Sequence, residues 1–282
     1  MRFTKLEGCG NDYLFVDLTG GRTLRDPEEC ARRISDRRFG VGSDGLILIT
    51  DPPAGCGTDL GMTMYNADGS PSEMCGNGFR GLCKYAFEHG LVKKESIRVT
   101  TGAGTRVGNL HLENGKVARV TVDMGLPGLN RGDLPMEGPS GPAIDVLLKA
   151  GRRELSGTAV SMGNPHFVVF VDGDVDDFPV AEVGPEVENH TLFPRRVNAE
   201  FVQVLGPREV RQRTWERGSG ETLACGTGAA AVCVAGIVTG RLQSPLVVHL
   251  RGGDLLLEWA GKGHPVFKTG PSVEVFSGEY PW

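Results

Sequence analysis

Short apolar runs alternate with longer segments of helical periodicity along the chain, and this alternation predicts a mixed α/β (α+β) fold. The strand-like runs are four to ten residues long and end at glycine, asparagine or proline. Helices are predicted over 27–38, where Pro27 stands near the start, from Cys75 onwards, and from Cys225 to about Val238. Strands are predicted within 3–19 and at 46–50, 61–65, 97–101, 105–113, 117–124, 154–161, 167–171, 199–204 and 210–215.

The two cysteine-led helices differ in their apolar pattern. The helix from Cys75 carries one apolar stripe and meets Gly90, a typical terminating residue. The helix from Cys225 is apolar on nearly every side, so we expect it to be buried all round. A curved sheet wrapped around a central helix satisfies this pattern.

Both helices begin with similar short sequence motifs, which indicates an internal duplication. Met74-Cys75-Gly76-Asn77-Gly78 matches Ala224-Cys225-Gly226-Thr227-Gly228, and Gly10-Asn11-Asp12-Tyr13 matches Gly163-Asn164-Pro165-His166. Both pairs are separated by about 150 residues, as a duplicated half-chain would leave them. We therefore predict two pseudo-symmetric domains, each a curved mixed sheet around one helix.

Length and composition fit two domains. At 282 residues the chain can build two separate cores, and the stretch 125–142, rich in glycine and proline, is predicted to be the linker. We predict an N-terminal domain at 1–124, completed by a C-terminal strand at 271–282. The second domain is predicted at 125–270.

The charge pattern narrows the class of protein. With 39% hydrophobic residues, 23% charged residues and a net charge of −5, the chain does not have the composition of a disordered or nucleic-acid-binding protein. No apolar stretch is long enough to span a bilayer and no signal peptide is seen, so we expect a cytoplasmic protein without a membrane partner. Seven cysteines without C-x-x-C spacing favour reduced thiols.

Motifs for common cofactors are present only in the wrong context. Gly40-Val41-Gly42-Ser43-Asp44-Gly45 matches G-x-G-x-x-G, but a strand and not a helix is predicted after it. The six histidines have no metal-ligand spacing. We therefore expect neither a dinucleotide nor a metal.

The two helix-leading cysteines carry the chemistry that the sequence indicates. The positive end of a helix dipole and its free N–H groups make a thiol easier to deprotonate. A buried structural role is the usual explanation for one such cysteine. Two cysteines in matched contexts instead favour a pair of proton carriers.

Taken together, these motifs resemble those of diaminopimelate epimerases, from residue 3 to the C-terminus and in the same order. Further matching segments are Tyr65-Asn66-Ala67-Asp68-Gly69-Ser70, Arg196-Val197-Asn198 and Glu216-Arg217-Gly218. The resemblance implies a homodimeric enzyme that interconverts LL- and meso-2,6-diaminopimelate, for lysine and peptidoglycan synthesis, without pyridoxal phosphate or metal. It also implies an active site in the cleft between the two domains. One departure is Gly45, where some members carry a glutamine ligand.

The resemblance also assigns roles to individual residues. It implies that Cys75 and Cys225 are the acid and base, and that His166 and Glu216 tune their protonation. Substrate contacts are implied for Asn11, Asn66, Asn164, Asn198, Glu216 and Arg217, and for the backbone of Gly76, Asn77, Gly226 and Thr227. Arg217 would grip the distal carboxylate as a fork.

Other functions remain open at the level of sequence. Proline and hydroxyproline epimerases of the same fold use a similar cysteine pair, although Asn77 and Glu216-Arg217 favour the diaminopimelate branch. A non-catalytic amino-acid-binding protein and a thiol redox protein are the alternatives from other classes.

Overall fold

A computed structural model describes residues 1–282, which form two compact units. Unit 1 comprises Met1–Val122 and Gly270–Trp282. Unit 2 comprises Asp123–Thr269, so the segment 125–142 clusters with unit 2, where it contains a 3₁₀ turn at Arg131–Asp133.

Unit 1 is built from strands and two helices. The helices are α1 (Pro27–Ser35) and α2 (Gly76–Glu88). The strands are β1 (Arg2–Gly8), β2 (Asn11–Asp17), β3 (Gly45–Thr50), β4 (Leu60–Asn66), β5 (Pro71–Ser72), β6 (Ser96–Thr101), β7 (Gly104–Glu113), β8 (Lys116–Asp123) and β18 (Val273–Glu279).

Unit 2 has the same set of elements. Its helices are α3 (Val180–Glu188) and α4 (Gly226–Val238). Its strands are β9 (Val146–Ala150), β10 (Arg153–Ser161), β11 (Pro165–Phe170), β12 (Asn198–Gly206), β13 (Glu209–Glu216), β14 (Gly220–Thr222), β15 (Leu246–Leu250), β16 (Gly253–Trp259) and β17 (Val266–Pro271), whose last two residues belong to unit 1.

Strand pairing repeats between the units. In unit 1, β1 pairs antiparallel with β18 and β2, β2 runs parallel to β3, and β4 runs antiparallel to β3 and parallel to β6. In unit 2, β10 pairs antiparallel with β9 and β11, β11 runs parallel to β12, and β13 runs antiparallel to β12 and parallel to β15. The predicted fold class, mixed α/β with two pseudo-symmetric domains, is confirmed.

Each unit packs one helix against one side of its sheet. Helix α2 packs on β1, β2, β7 and β18, and α4 packs on β10, β11, β12 and β16. Residues 228–236 of α4 are all buried, as its apolar sequence predicts. Gly78 and Gly81 allow α2 to approach the sheet closely, since added Cβ atoms would meet Ile47 and Phe15.

A second helix covers the other side of each sheet. In unit 1, Leu14 and Val16 of β2 pack with Ala31 and Ile34 of α1. Strand β2 is therefore buried on both faces, which explains its continuous apolar run. Helix α3 is absent from the sequence-based prediction because Gly184 and Pro185 interrupt its helical pattern.

The longest helices, α2 and α4, have 13 residues each. No helix is long and apolar enough to cross a membrane.

Candidate active site

Cys75 is the N-cap residue of α2. Its backbone is extended (φ −122°, ψ 127°), so the chain turns into the helix directly after it. The thiol is partly exposed and donates to Asn11 Oδ1 at 3.4 Å. The start of α2 and the start of β2 thus bring together two residues that the sequence predicts to be functional.

Asn77 is held in place from within its own helix. Its Oδ1 accepts from Arg80 Nη1 at 2.8 Å, and its Nδ2 lies 3.5 Å from Asn11 Oδ1. Arg80 is fully buried and also donates to Pro271 O at 3.0 Å. Arg80 therefore fixes both the side chain of Asn77 and the start of the C-terminal strand segment in unit 1.

Asn11 is anchored by charged residues behind it. Its Nδ2 donates to Asp44 Oδ2 at 2.5 Å. Arg37 joins Asp44 to Asp12 at 3.0 and 2.6 Å, and Lys5 pairs with Asp12 at 2.6 Å. The sequence did not predict this network of charged residues, although Asp12 is adjacent to Asn11 in the repeated motif.

Tyr13 also lies beside Cys75 and was missed as a site residue. Its hydroxyl is within hydrogen-bonding reach of Cys75 and Asn11. Burial, together with the negative charge that Cys75 can carry, raises the pKa of Tyr13 far above its usual value. The sequence could have indicated Tyr13 as a site residue, because it occupies the position of His166 in the duplicated sequence motif.

Asn66 ends β4, and its Nδ2 donates to Ser70 Oγ at 3.0 Å. Gly45 pairs with Asn66 across β3 and β4. A Cβ at Gly45 would meet the carbonyl oxygen of Tyr65, so this backbone leaves no room for a side chain there.

Cys225 is the N-cap residue of α4 and is 5% exposed. Its sulfur accepts the N–H of Gly228 at 3.3 Å and lies 3.5 Å from Thr227 Oγ1. Burial, with the carboxylates of Glu216 and Glu200, raises the pKa of Cys225 well above its usual value. The N–H of Gly228 at the helix terminus lowers this pKa, as the sequence-based expectation has it, but burial and the two carboxylates outweigh that effect.

His166 is fully buried at the start of β11. Its Nδ1 lies 2.7 Å from Glu200 Oε1, and its Nε2 lies 3.0 Å from Asn164 Oδ1. Two predicted residues, Asn164 and His166, are thus in contact. Their shared partner Glu200 was not predicted.

Glu216 ends β13, and its Oε1 accepts from Thr222 Oγ1 at 2.6 Å. Burial raises its pKa, and the neighbouring Glu200 adds to this effect. Glu216 is also within hydrogen-bonding reach of Cys225. A carboxyl group that holds its proton more tightly than usual therefore stands beside a buried thiol.

Asn198 connects the two segments that carry His166 and Glu216. Its Nδ2 donates to Pro165 O at 2.8 Å, and its Oδ1 accepts the N–H of Arg217 at 2.9 Å. The side chain of Arg217 is exposed and donates to Arg195 O at 3.0 Å.

A buried carboxylate, Glu188, holds the loop after β13. It accepts from Trp215 Nε1 at 2.7 Å and from the N–H of Gly218 at 2.9 Å. Glu188 lies in α3, the helix that the sequence-based prediction lacks, which is why its role was missed.

The first turns of α2 and α4 offer free backbone donors. The first four N–H groups of a helix have no partner within it, and those of Gly76, Asn77, Gly226 and Thr227 are among them. No acidic residue occupies either first turn. Each terminus can therefore bind an anion such as a carboxylate.

The groups around Cys75 and Cys225 belong to a chain whose sequence matches the family model for diaminopimelate epimerase over residues 3–129 and 158–275. The chain belongs to the diaminopimelate epimerase family. A diaminopimelate epimerase of Pelotomaculum thermopropionicum is 48% identical, covering 100% of this chain and 99% of that one. One from Leptospira biflexa is 50% identical, covering 99% of this chain and 98% of that one.

Solved structures with low sequence identity share the fold. A Bacillus anthracis protein of the phenazine biosynthesis PhzF family has a TM-score of 0.71 at 16% identity, covering 100% of this chain and 99% of that one. A hydroxyproline epimerase from Agrobacterium vitis, with bound trans-4-hydroxy-L-proline, has a TM-score of 0.64 at 13% identity, covering 99% and 91%.

Family membership decides the enzyme class. The relatives are isomerases that act on an amino acid, so the predicted family and the predicted epimerase activity are confirmed. A role in lysine biosynthesis follows from the reaction that the family name describes.

One group of donor atoms has a spacing that a metal ion could use. His166, Glu200 and Cys225 each offer a ligand atom within 4.8 Å of the others, a cluster that histidine spacing in the sequence does not reveal. All three residues already have partners within the protein: Glu200 contacts His166, Gln212 and Thr214, and Cys225 Sγ accepts the N–H of Gly228. The donor set therefore suits proton handling better than metal ligation.

Proposed function

We propose that the chain interconverts LL- and meso-2,6-diaminopimelate by proton transfer between two thiols, Cys75 and Cys225, acting on opposite faces of one α-carbon. The observation that carries this proposal is the matched position of both cysteines as N-cap residues of α2 and α4. Cys83 and Cys233 lie eight residues further along these helices and are fully buried, which fits a packing role.

Inversion of a stereocentre needs a base on one face and an acid on the other. The raised pKa of Cys225 supports its role as the thiol that donates a proton to the α-carbon in one direction of the reaction. In that direction Cys75 is the base that removes the α-proton. In the reverse direction the roles exchange. The two sulfurs titrate as a pair, because only the form with one thiol and one thiolate can carry out the reaction.

Carbanion character beside a carboxylate needs fixed positive potential around the carboxylate oxygens. The free N–H groups of Gly76, Asn77, Gly226 and Thr227 are suited to this, because helix N-termini bind anions. Such donors are already oriented and need no rearrangement during the reaction. This supports catalysis without pyridoxal phosphate or metal.

The distal amino-acid head requires further polar groups. We assign this role to Asn66, Asn198 and Arg217, and we assign Asn11 and Asn164 to the substrate as well. The exposed guanidinium of Arg217 can turn from Arg195 O towards a carboxylate. His166 and Glu216 are assigned to the control of thiol protonation, which their proximity to Cys225 supports.

Deuterium incorporation tests the proposal. LL-diaminopimelate in heavy water should gain deuterium at the α-carbon and yield the meso isomer with wild-type protein. Cys75→Ala and Cys225→Ala should each abolish both, whereas Cys56→Ala, which alters an exposed cysteine, should retain both. Full turnover in either of the first two variants contradicts the two-thiol mechanism.

The same assay separates the alternatives. An amino-acid-binding protein or a thiol redox protein leaves the α-hydrogen in place. Deuterium in proline or hydroxyproline, and none in diaminopimelate, would move the activity to the other branch of the fold.

Two further assignments belong to this proposal, a homodimer and a cytoplasmic location. Light scattering at micromolar concentration should give twice the chain mass of 30.1 kDa. Cell fractionation should recover the activity with cytoplasmic markers.

A further inference from the structure

A buried polar cluster lies beneath the N-terminus of α4. Glu200 is fully buried; one of its oxygens lies 2.7 Å from His166 Nδ1, and the other accepts from Gln212 Nε2 at 2.7 Å and from Thr214 Oγ1 at 2.5 Å. Gln212 and Thr214 are each 1% exposed. A carboxylate is thus removed from water and bonded almost entirely to side chains.

The duplicated unit shows that the fold does not need this cluster. Strand register places Glu200 opposite Thr214 in unit 2 and Ile47 opposite Met64 in unit 1. The helix meets these residues in the same way, because a Cβ on Gly228 would lie 2.5 Å from Glu200 and a Cβ on Gly78 would lie 2.5 Å from Ile47.

A polar residue of unit 2 also replaces an apolar residue of unit 1 at the position two residues further along the paired strands. Gln212 pairs with Val202 in unit 2, and Met62 pairs with Ile49 in unit 1. Three polar residues of unit 2 therefore stand where unit 1 has isoleucine and two methionines. All three unit 1 residues, Ile47, Met62 and Met64, are buried.

Burying a carboxylate has a large cost in solvation free energy, which hydrogen bonds must offset. Because unit 1 fills the equivalent space with apolar side chains, packing alone gives no reason to bury one in unit 2. The residue that differs in function is His166, which stands where unit 1 has Tyr13. Glu200 contacts His166 and lies within 4.8 Å of the Cys225 ligand atom.

We infer that Glu200 is a positioning residue of the proposed reaction: through its contact with Nδ1 it orients the ring of His166 beside Cys225, and it adds a negative charge to the surroundings of the Cys225 thiol. The 2.7 Å contact between a carboxylate oxygen of Glu200 and Nδ1 restrains the rotation of the His166 ring. Gln212 and Thr214 keep the carboxylate itself in one orientation. This inference rests on the proposed function of Cys225 and His166.

The charged groups around Cys225 come from several strands. Glu200 of β12, Glu216 at the end of β13 and His166 of β11 face it. Lys268 of β17 lies against Gly226, at the start of α4. Removing one negative charge from this set favours deprotonation of the groups that remain.

Glu200→Gln tests the inference, because it removes the charge and keeps the shape. The pH profile of kcat/KM should move to lower pH on both limbs, by about one unit. The maximal kcat should fall at least about tenfold, while KM changes less than about threefold. The inference is overturned if the pH profile of kcat/KM is lower but not shifted along the pH axis, or if the variant keeps wild-type activity.

Alkylation supplies a readout that does not depend on turnover. In a Cys75→Ala background, the rate at which iodoacetamide labels Cys225, followed by peptide mass, reports its thiolate. Glu200→Gln should shift this rate profile to lower pH, and an unchanged profile overturns the inference. Cys225→Ala tests the proposed function separately from the role of Glu200. This variant must abolish deuterium exchange even if Glu200 has no effect on the pH profile.

Two further variants control for folding. Glu88→Gln removes a partly buried carboxylate at the far end of α2, bonded to Lys84 and Val117, and should leave the pH profile unchanged. The triple variant Glu200→Ile, Gln212→Met, Thr214→Met copies unit 1 and should fold but lose activity. If neither this variant nor Glu200→Gln folds, the carboxylate serves the fold and the inference is wrong.

Discussion

The side-chain oxygen of Asn198 accepts the backbone N–H of Arg217 at 2.9 Å. Its amide nitrogen donates to the carbonyl of Pro165, the residue before His166. One buried side chain therefore sets the distance between the strand that carries His166 and the loop that carries Arg217.

We predict that Asn198→Ala loses about 1–3 kcal/mol of unfolding free energy, because it leaves two backbone groups without partners. The same change should lower kcat/KM at least about tenfold. Urea unfolding and steady-state kinetics measure the two effects. Asn189→Ala is the control, since this exposed asparagine also donates to a carbonyl, that of Pro185, but lies at the end of α3.

Arg80→Lys should be disruptive although it conserves charge. Arg80 donates to Asn77, Pro271 and Cys9 from a fully buried position, and a lysine ammonium cannot reach all three. We expect a loss of about 1–3 kcal/mol in unfolding free energy and a higher KM, because Asn77 loses its support. Arg106→Lys alters a half-buried arginine whose bond to the carbonyl of Thr105 is exposed, and it should change neither quantity.

The sequence predicted the starts of α2 and α4 to within one residue, because a cysteine followed by glycines and an apolar run marks a helix N-terminus locally. Helix α3 could not be predicted in this way, since Gly184 and Pro185 obscure its periodicity. Its stability comes from packing, including the contact of Gly184 with Trp215.

The same limit applies to the candidate site. The resemblance to diaminopimelate epimerases points to Asn164 and His166, which belong to one of the repeated sequence motifs. Glu200 was missed because a charged residue in an alternating strand normally faces solvent, and only the strand register and α4 show that it is buried. Such partners are far apart in sequence, so no local pattern reveals them.

Asp12 should make stability depend on pH in the acid range. Burial raises its pKa, but hydrogen bonds and charge from Arg37 and Lys5 outweigh this and hold the pKa below the ordinary 3.8. The stabilisation is therefore present above pH 3.8 and is lost as the pH falls through the lower folded-state value.

Asp12→Asn should accordingly lower the unfolding free energy at pH 7 by about 3 kcal/mol, and the difference from wild type should shrink below pH 3.8. Urea midpoints across pH measure this. Glu29→Gln, which breaks exposed ion pairs with Arg32 and Arg33, should have little effect. A constant difference between wild type and Asp12→Asn at all pH values would contradict the assignment.

The contribution of Glu216 to stability should depend on pH in the opposite sense to that of Asp12. Burial raises its pKa above the ordinary 4.5, so the folded state binds this proton more tightly than the unfolded state does. Its contribution is favourable below pH 4.5 and is lost as the pH rises through the folded-state value.

Glu216→Gln should therefore unfold at higher urea than wild type near pH 8, with the gap closing towards pH 4, while epimerisation falls. Such an exchange of stability for function is expected where a site keeps a buried ionisable group. Glu258→Gln, an exposed carboxylate on β16, should leave the urea midpoint unchanged. Lower stability of Glu216→Gln at pH 8 would show that burial does not dominate at Glu216.

Gly228→Ala and Gly78→Ala test how closely the two helices approach their sheets. Alanine favours a helix by about 1 kcal/mol over glycine, yet the new methyl groups would lie 2.5 Å from Glu200 and Ile47. We expect a net loss of about 1–3 kcal/mol in each case, measured by urea unfolding. Gly206→Ala, with open space around it, should be close to neutral.

A double-mutant cycle then assigns the cause at Gly228. In a Glu200→Ala background the colliding oxygens are gone, so Gly228→Ala should cost less than in wild type, with a coupling of about 1 kcal/mol or more. No coupling would mean that α4 can move away from β12 without loss. Activity should not return in the double variant, because the methyl group restores packing but not the contact with His166 Nδ1.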